Sequence, residues 1–376
     1  MSIKEHGFPK VDRHSQVLSY LVRHGANSRK SIADNIAVTG ATLTRIAADL
    51  IQKGIVYEKG TSTNGAVGRK EIYIDVVPNY CYALGLDVAN RYLRVTLLNI
   101  KLELIVMKEW RYRVLTQSIL DEAIAFLRSL IDEYGKEKIL GLGLLGQGYI
   151  YQNQFMSLPV RNIYWQIAQK IDVEIYCMNN IRGIAVTQSF LNDDERSFFM
   201  LHYGPGICTV MVQDGCIVNG YHNKAGEIAH TILYPESKQV CSVCGKKGCL
   251  ESELSFERVA KCADPMIDES YIDCELLEKA CQQDDGRALD RALVRLAQIV
   301  SILIGFSDPQ KVLLCGEIFT NSDYYNRFSR LLLDSNDTLE AQNIMLVENY
   351  SEKRWKSAGI VVLNEYFGPR PRRFLT

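Results

Sequence analysis

Residues 226–251 read GEIAHTILYPESKQVCSVCGKKGCLE, a stretch that places His230, Cys241, Cys244 and Cys249 within twenty positions, with Glu227 and Glu251 near its two ends. Zn²⁺ favours four nitrogen or sulfur ligands in a tetrahedron, and one histidine with three cysteines supplies that number from a single loop. Gly245 and Gly248 fall inside the turn from Cys244 to Cys249, where a chain wrapping an ion turns too tightly for most side chains. The competing reading is four unrelated residues in a cysteine-rich chain. The spacing predicts a structural zinc ion.

Around that loop the composition is unexceptional. A chain of 376 residues, 47% hydrophobic and 23% charged, exceeds the size at which one core usually stops growing, so more than one domain is expected. It holds no apolar run of the roughly 20 residues that would span a bilayer, and its start, MSIKEHGFPKVDRHSQ, lacks a secretory apolar stretch. No membrane partner and a cytoplasmic location are therefore expected. Eleven cysteines, clustered only at 241–249, suit reduced thiols and a metal better than a disulfide framework. The net charge of −1 conceals an asymmetry: residues 1–80 carry 11 Lys and Arg against 7 Asp and Glu. That modest excess has the sign a phosphate-binding module needs.

Within this basic segment Val17, Leu18, Leu21 and Val22 recur at helical spacing from Arg13 to His24, with Gly25 as a stop. Ser28 is placed to cap a second helix and Thr39 a third, which runs to Gly54. IVYEKG and KEIYIDV then read as two strands. Together these predict a winged helix-turn-helix over residues 1–78. Ser28, Arg29, Thr39, Thr42, Thr44 and Arg45 are candidate contacts to double-stranded DNA, the threonines and Arg45 standing where a recognition helix enters the major groove. Arg69 and Lys70 supply a basic wing tip. The same module is also compatible with protein docking.

Residues 79–376 alternate short apolar runs with amphipathic helices. A three-strand meander follows Cys81, a second begins at Ser197, and helices flank both, which predicts an α/β body of two lobes with a cleft between them.

With these motifs the chain resembles the ROK family, bacterial sugar kinases and winged-helix repressors built on the actin-like sugar-kinase fold. The resemblance rests on Gly226-Glu227-x-x-His230, on Cys244-Gly245-x-x-Gly248-Cys249-x-Glu251, on VTGATLTRIAADLIQKGIV at 38–56 and on SAGIVVL at 357–363. One departure is that Cys241 precedes Cys244 by three positions where the family spacing is two. The resemblance implies a sugar site drawn from Gly146, Asn179, Asn180, Glu227, His230 and Glu251, since amides and carboxylates pair with vicinal hydroxyls. A competing reading makes Asn179 and Asn180 a turn after the strand EIYCM.

The resemblance also implies what a kinase would need. Asn180 stands where the family's kinases carry an aspartate base, and a neutral amide accepts no proton near pH 7. The first phosphate loop, Asp-x-Gly-Gly-Thr in the kinases, reads Asp87-Val88-Ala89-Asn90-Arg91 here. The second keeps Gly204 and Gly206 around Pro205, which has no N–H, and near the adenosine site only Cys315-Gly316-Glu317 remains of a double glycine. The expected function is a non-enzymatic repressor of carbohydrate-metabolism genes. It would act as a dimer or tetramer on operator DNA, its affinity modulated by a sugar or sugar phosphate in a zinc-supported cleft. The alternatives are an ATP-dependent sugar kinase that retained a DNA-binding module, and a regulator whose body answers to a protein.

Overall fold

The computed structural model describes residues 13–61, 71–148, 150–151, 154–155, 158, 160, 162–267 and 271–369. By internal packing the chain divides into two compact units: residues 1–147, 153–191 and 354–376 form one, and residues 148–152 and 192–353 the other. The junction at 78/79 lies inside the first unit.

The chain opens with helix α1 (Arg13–His24), the two-residue strand β1 (Asn27–Ser28), α2 (Arg29–Asn35) and α3 (Gly40–Gln52), followed by β2 (Val56–Thr61) and β3 (Ile72–Val76). Ser28 caps α2 by accepting the Ser31 N–H at 3.2 Å, and Thr39 caps α3 by accepting that of Thr42 at 3.2 Å. Each supplies a partner to an amide that the first helical turn leaves unpaired. Val17, Leu18 and Leu21 of α1 are buried, as are Leu43, Ile46, Ala47 and Leu50 of α3, and the two helices pack together. β3 lies between β1 and β2, antiparallel to both, which completes a winged helix-turn-helix arrangement. The pairing of β1 was not foreseen, because two residues carry no periodicity.

The first unit continues with β4 (Tyr82–Val88), β5 (Tyr92–Asn99), β6 (Leu104–Arg111), α4 (Gln117–Tyr134) and β7 (Ile139–Gly146). After them come the short pair β8 (Ile150–Tyr151) and β9 (Gln154–Phe155), then α5 (Ile163–Ala168), β10 (Ile175–Asn179) and α6 (Asn180–Leu191). Its sheet runs in the order β10-β7-β4-β5-β6, with β4, β7 and β10 parallel and β5 and β6 antiparallel.

The second unit repeats the plan. β11 (Phe198–Tyr203), β12 (Ile207–Gln213) and β13 (Cys216–Ile217) form its meander, and after the cysteine loop come α7 (Leu250–Leu254), α8 (Phe256–Ala263), α9 (Cys274–Cys281) and α10 (Arg287–Ser307). Then follow β14 (Lys311–Cys315), α11 (Ser322–Asp334), β15 (Ile344–Leu346) and finally α12 (Tyr350–Phe367). The sheet order β13-β12-β11-β14-β15 mirrors the first, again with a central strand, an antiparallel meander on one side and two parallel strands on the other. Phe256, Leu277, Leu289, Leu296, Phe319 and Phe328 anchor its helical core.

From Arg354 onward α12 belongs to the first unit and lies directly on its sheet. A Cβ at Gly143 would stand 1.8 Å from the Ala358 carbonyl oxygen, so the glycine is what lets helix and strand touch. Among the described residues no helix is long and apolar enough to cross a membrane.

Candidate metal and effector site

The cysteine loop is built on two backbone rungs. Ile232 bridges Cys249 and Val240 bridges Lys247, both antiparallel, so the chain doubles back and brings residues distant in sequence to one place. Leu250 N–H donates to the Thr231 carbonyl at 3.0 Å and Glu251 N–H to that of Ala229 at 2.8 Å, extending the same strap. Gly248 has φ +66° and a Cβ there would meet the Tyr234 carbonyl oxygen at 1.8 Å. Gly245 also has positive φ, +69°, but no atom lies within 4 Å of where its Cβ would stand. Gly245 is thus needed for its backbone conformation, and Gly248 for conformation and space together.

This fold gathers the four predicted ligands. The Nδ1 or Nε2 of His230 and the Sγ atoms of Cys241, Cys244 and Cys249 lie within 4.8 Å of one another. Cys241 Sγ stands 3.8 Å from His230 Nδ1, and Cys244 Sγ 3.9 Å from Cys249 Sγ. With Zn–S near 2.3 Å, the edge of a tetrahedron is about 3.8 Å, so the donors fit the ion. The additional residue between Cys241 and Cys244 does not displace Cys241 from the set. Burial, followed by the charge of Lys246, lowers the His230 pKa and favours the neutral imidazole that ligates a metal. Burial pushes the Cys241 thiol up to about 12, so a metal entering here must displace a proton.

Glu251 follows the last ligand by two residues. Part of the residue reaches the surface, yet its carboxyl group is enclosed by protein atoms, and burial pushes its pKa to about 7 against the single opposing hydrogen bond from Ile207 N–H. That bond, 3.2 Å to Oε2, comes from the end of the Gly204-Pro205-Gly206 loop. Gly204 N–H in turn donates to the Gly206 carbonyl at 3.1 Å. Two amides of the 204–207 segment are therefore engaged within the unit, and Pro205 has none to offer. Glu227 lies just after Gly226, whose φ of +85° and 2.2 Å clearance to the Thr209 carbonyl oxygen leave no room for a Cβ.

The remaining sugar-site candidates lie in the first unit. Asn179 and Asn180 are buried at the β10–α6 junction. Asn179 Oδ1 accepts the N–H groups of Ile181 at 2.8 Å and Arg182 at 3.3 Å, and Asn180 Oδ1 accepts that of Ile181 at 2.9 Å. The pair caps α6 as well as offering amides. Beside Gly146 a Cβ would meet the Phe155 ring at 2.4 Å, so an aromatic side chain explains that glycine. Sequence reading missed Phe155, since nothing in a short loop marks which ring folds back.

The 87–91 segment, which the resemblance aligns with a phosphate loop, is a closed hairpin turn. Ala89 N–H donates to the Tyr92 carbonyl at 2.9 Å, and the Tyr112 hydroxyl stands 2.6 Å from the Ala89 carbonyl oxygen and 2.8 Å from that of Tyr92. Asp87 is buried, accepts the Tyr92 hydroxyl at 2.8 Å and has a raised pKa from burial, opposed by Arg354. The Arg94 and Arg354 guanidiniums stand 4.4 and 5.3 Å from the Tyr92 ring centroid. Tyr112, Tyr92 and Arg354 escaped sequence reading, being far from any motif.

In the helix-turn-helix, Thr44 and Arg45 are exposed on α3, Thr44 Oγ1 donating to the Gly40 carbonyl at 2.8 Å. Thr39 and Thr42 share a hydroxyl contact of 2.9 Å at the helix start. Ser28 is buried at its cap, and Arg29 pairs with Glu58 of β2 at 2.6 Å. Arg69 and Lys70 lie outside the described residues.

The ROK family profile matches residues 83–354. The chain belongs to the ROK family. Among its relatives is the xylose repressor of Caldicellulosiruptor bescii, 23% identical over 328 residues, which cover 79% of this chain and 81% of that protein. The DNA-binding transcriptional dual regulator NagC of Escherichia coli is 22% identical over 321 residues, 79% of this chain and 78% of its own length. A ROK family transcriptional regulator described as a homolog of the E. coli MLC protein has a similar solved structure. Its TM-score is 0.72 at 18% identity, covering 95% of this ROK chain and 96% of its own. The ROK hexokinase of Thermus thermophilus has a TM-score of 0.60 at 18% identity, covering 75% of this chain and 98% of its own.

Proposed function

We propose that this ROK protein is a sugar-responsive transcriptional repressor of carbohydrate-metabolism genes that binds operator DNA as a dimer or tetramer and catalyses no phosphoryl transfer. The observation that carries the reading is the extent of the fold likeness: it spans 95% of the chain for the ROK regulator and 75% for the hexokinase, whose own chain is already 98% matched. What the kinase lacks is about the size of the N-terminal module. Residues 1–78 act as the DNA-binding domain and 79–376 as the sensor. Thr42, Thr44 and Arg45, with Thr39 setting the start of α3, address the groove, and Ser28, Arg29, Arg69 and Lys70 flank them.

The effector is a sugar or sugar phosphate held through Asn179, Asn180, Glu227, His230 and Glu251, with Gly146 and the Phe155 ring packed on it shaping the strand end beside the site. Zinc on His230, Cys241, Cys244 and Cys249 is structural, fixing the strap that orients Glu251 and the imidazole. The absence of turnover is supported by Asn180, by the Tyr112-stapled turn after Asp87, and by the engaged amides at 204–207.

Four measurements test this. Binding to DNA from upstream of the protein's own coding region should weaken steeply with salt through counterion release, and salt-insensitive binding would contradict it. Calorimetry against xylose, N-acetylglucosamine and their phosphates should find at least one ligand; heat with none favours a protein signal. Phosphorylated hexose produced at substantial turnover with ATP would overturn the reading altogether. For the metal, elemental analysis should find about one zinc per chain, and Cys249→Ser should lose it.

A further inference from the structure

Helix α6 is buried along its length from Asn180 to Phe190, and its two ends meet different partners. At its start stand Asn179 and Asn180. At its end the Phe190 carbonyl, one of those a helix leaves without an internal partner, accepts the Nε–H of Arg23 at 3.0 Å. The same guanidinium lies 5.8 Å from the Phe190 ring centroid. A cation at a helix C-terminus also complements the helix dipole. Helix α12 ends in the same way: the carbonyl of its last residue, Phe367, accepts the hydroxyl of Ser19.

Ser19 and Arg23 are four residues apart on α1 and so share one face. The two helices that end on that face are themselves tied, Thr187 Oγ1 to Ser357 Oγ at 3.1 Å. On its other side α1 packs on α3, and His14 Nε2 meets Asp49 Oδ2 at 3.0 Å. A helix of 12 residues such as α6 reaches about 18 Å. Buried from Asn180 to Phe190, it passes a displacement at one end to the other, because close-packed interiors transmit small shifts.

We propose that Ser19 and Arg23 are positioning residues that couple the effector site to the DNA-binding helix, α6 carrying a shift at Asn180 to the α1 face on which α3 rests. Their role rests on the reading of Asn180 as an effector contact. It requires neither residue to touch sugar or DNA.

The first test contains no sugar. Asn180→Asp and Arg23→Ala lie at opposite ends of the path, and residues so far apart ordinarily act independently, within about twofold in an equilibrium constant. The operator Kd of the full-length double variant should depart from the product of the single effects by more than that. Additive effects would overturn the proposal. The second test adds xylose or N-acetylglucosamine, whichever the parent binds. Arg23→Ala should keep the parent's calorimetric sugar affinity in the absence of DNA. It should lose most of the sugar-induced change in operator Kd, which for allosteric regulators is about 5- to 150-fold. Arg23→Lys, which keeps a donor and a charge at the Phe190 carbonyl, should restore part of it. An Arg23→Ala protein with the parent's full response would also overturn the coupling. If no sugar binds the parent, the effector reading fails, and the sugar-free cycle still decides this proposal.

Discussion

At the scale of single residues the two loop glycines make contrasting demands. Gly248→Ala places a Cβ against the Tyr234 carbonyl in a left-handed conformation, so we expect a loss of roughly 3 kcal/mol or more, with reduced zinc retention on dialysis. Gly245→Ala, strained in backbone only, should cost about 1–2 kcal/mol and keep its zinc. Equal losses in urea melts would undermine the steric account. Asp87 gives a pH signature. Burial raises its pKa, so the native state holds the proton more tightly than the unfolded chain. Its contribution is therefore most favourable below the ordinary carboxylate value of about 4 and is lost as pH rises through the raised folded value. Asp87→Asn, which can still accept the Tyr92 hydroxyl, removes that titration. Stability of the variant relative to the parent should climb as pH rises from about 4, and a flat difference would show that burial is offset by Arg354.

At the scale of elements, α3 combines a capped start with the exposed face proposed to meet DNA. Thr39→Ala removes the cap to Thr42 N–H and should destabilise the helix-turn-helix by about 1 kcal/mol. Arg45 is exposed, so Arg45→Ala should leave stability within about 0.5 kcal/mol. It should weaken operator binding and, if Arg45 meets a phosphate, reduce the salt slope by about one. Unchanged operator affinity would move the DNA-contacting surface elsewhere. The elements themselves were largely legible. Apolar positions at helical spacing predict α1, and Ser28 and Thr39 mark the helix starts that the structure caps. β15 and β1 were not legible, because strands of two or three residues are made by pairing with a neighbour, and pairing is not a local property.

At the scale of the molecule, the two units share a topology, and under the proposed reading their chemistry has diverged from phosphoryl transfer. A single lost base would be recoverable by a single substitution, worth 10²- to 10⁴-fold in rate. Here the Tyr112 hydroxyl closes the turn after Asp87 and Glu251 engages Ile207 N–H. Asn180→Asp should accordingly yield no measurable ATP-dependent sugar phosphorylation in a coupled assay. Activity in that variant would mean that the loops still accept phosphates.

The sequence by itself determined the family, the four-residue donor set and the helix-turn-helix, because each is written in residue type and short-range spacing. Only the tertiary structure decided which glycine is sterically obligatory, that Phe155 fills the space beside Gly146, and that Tyr112 staples the turn after Asp87. It alone brought Ser19 and Arg23 to the ends of α12 and α6. Those contacts join residues far apart in the chain, and their partners are selected by packing, which local pattern does not encode.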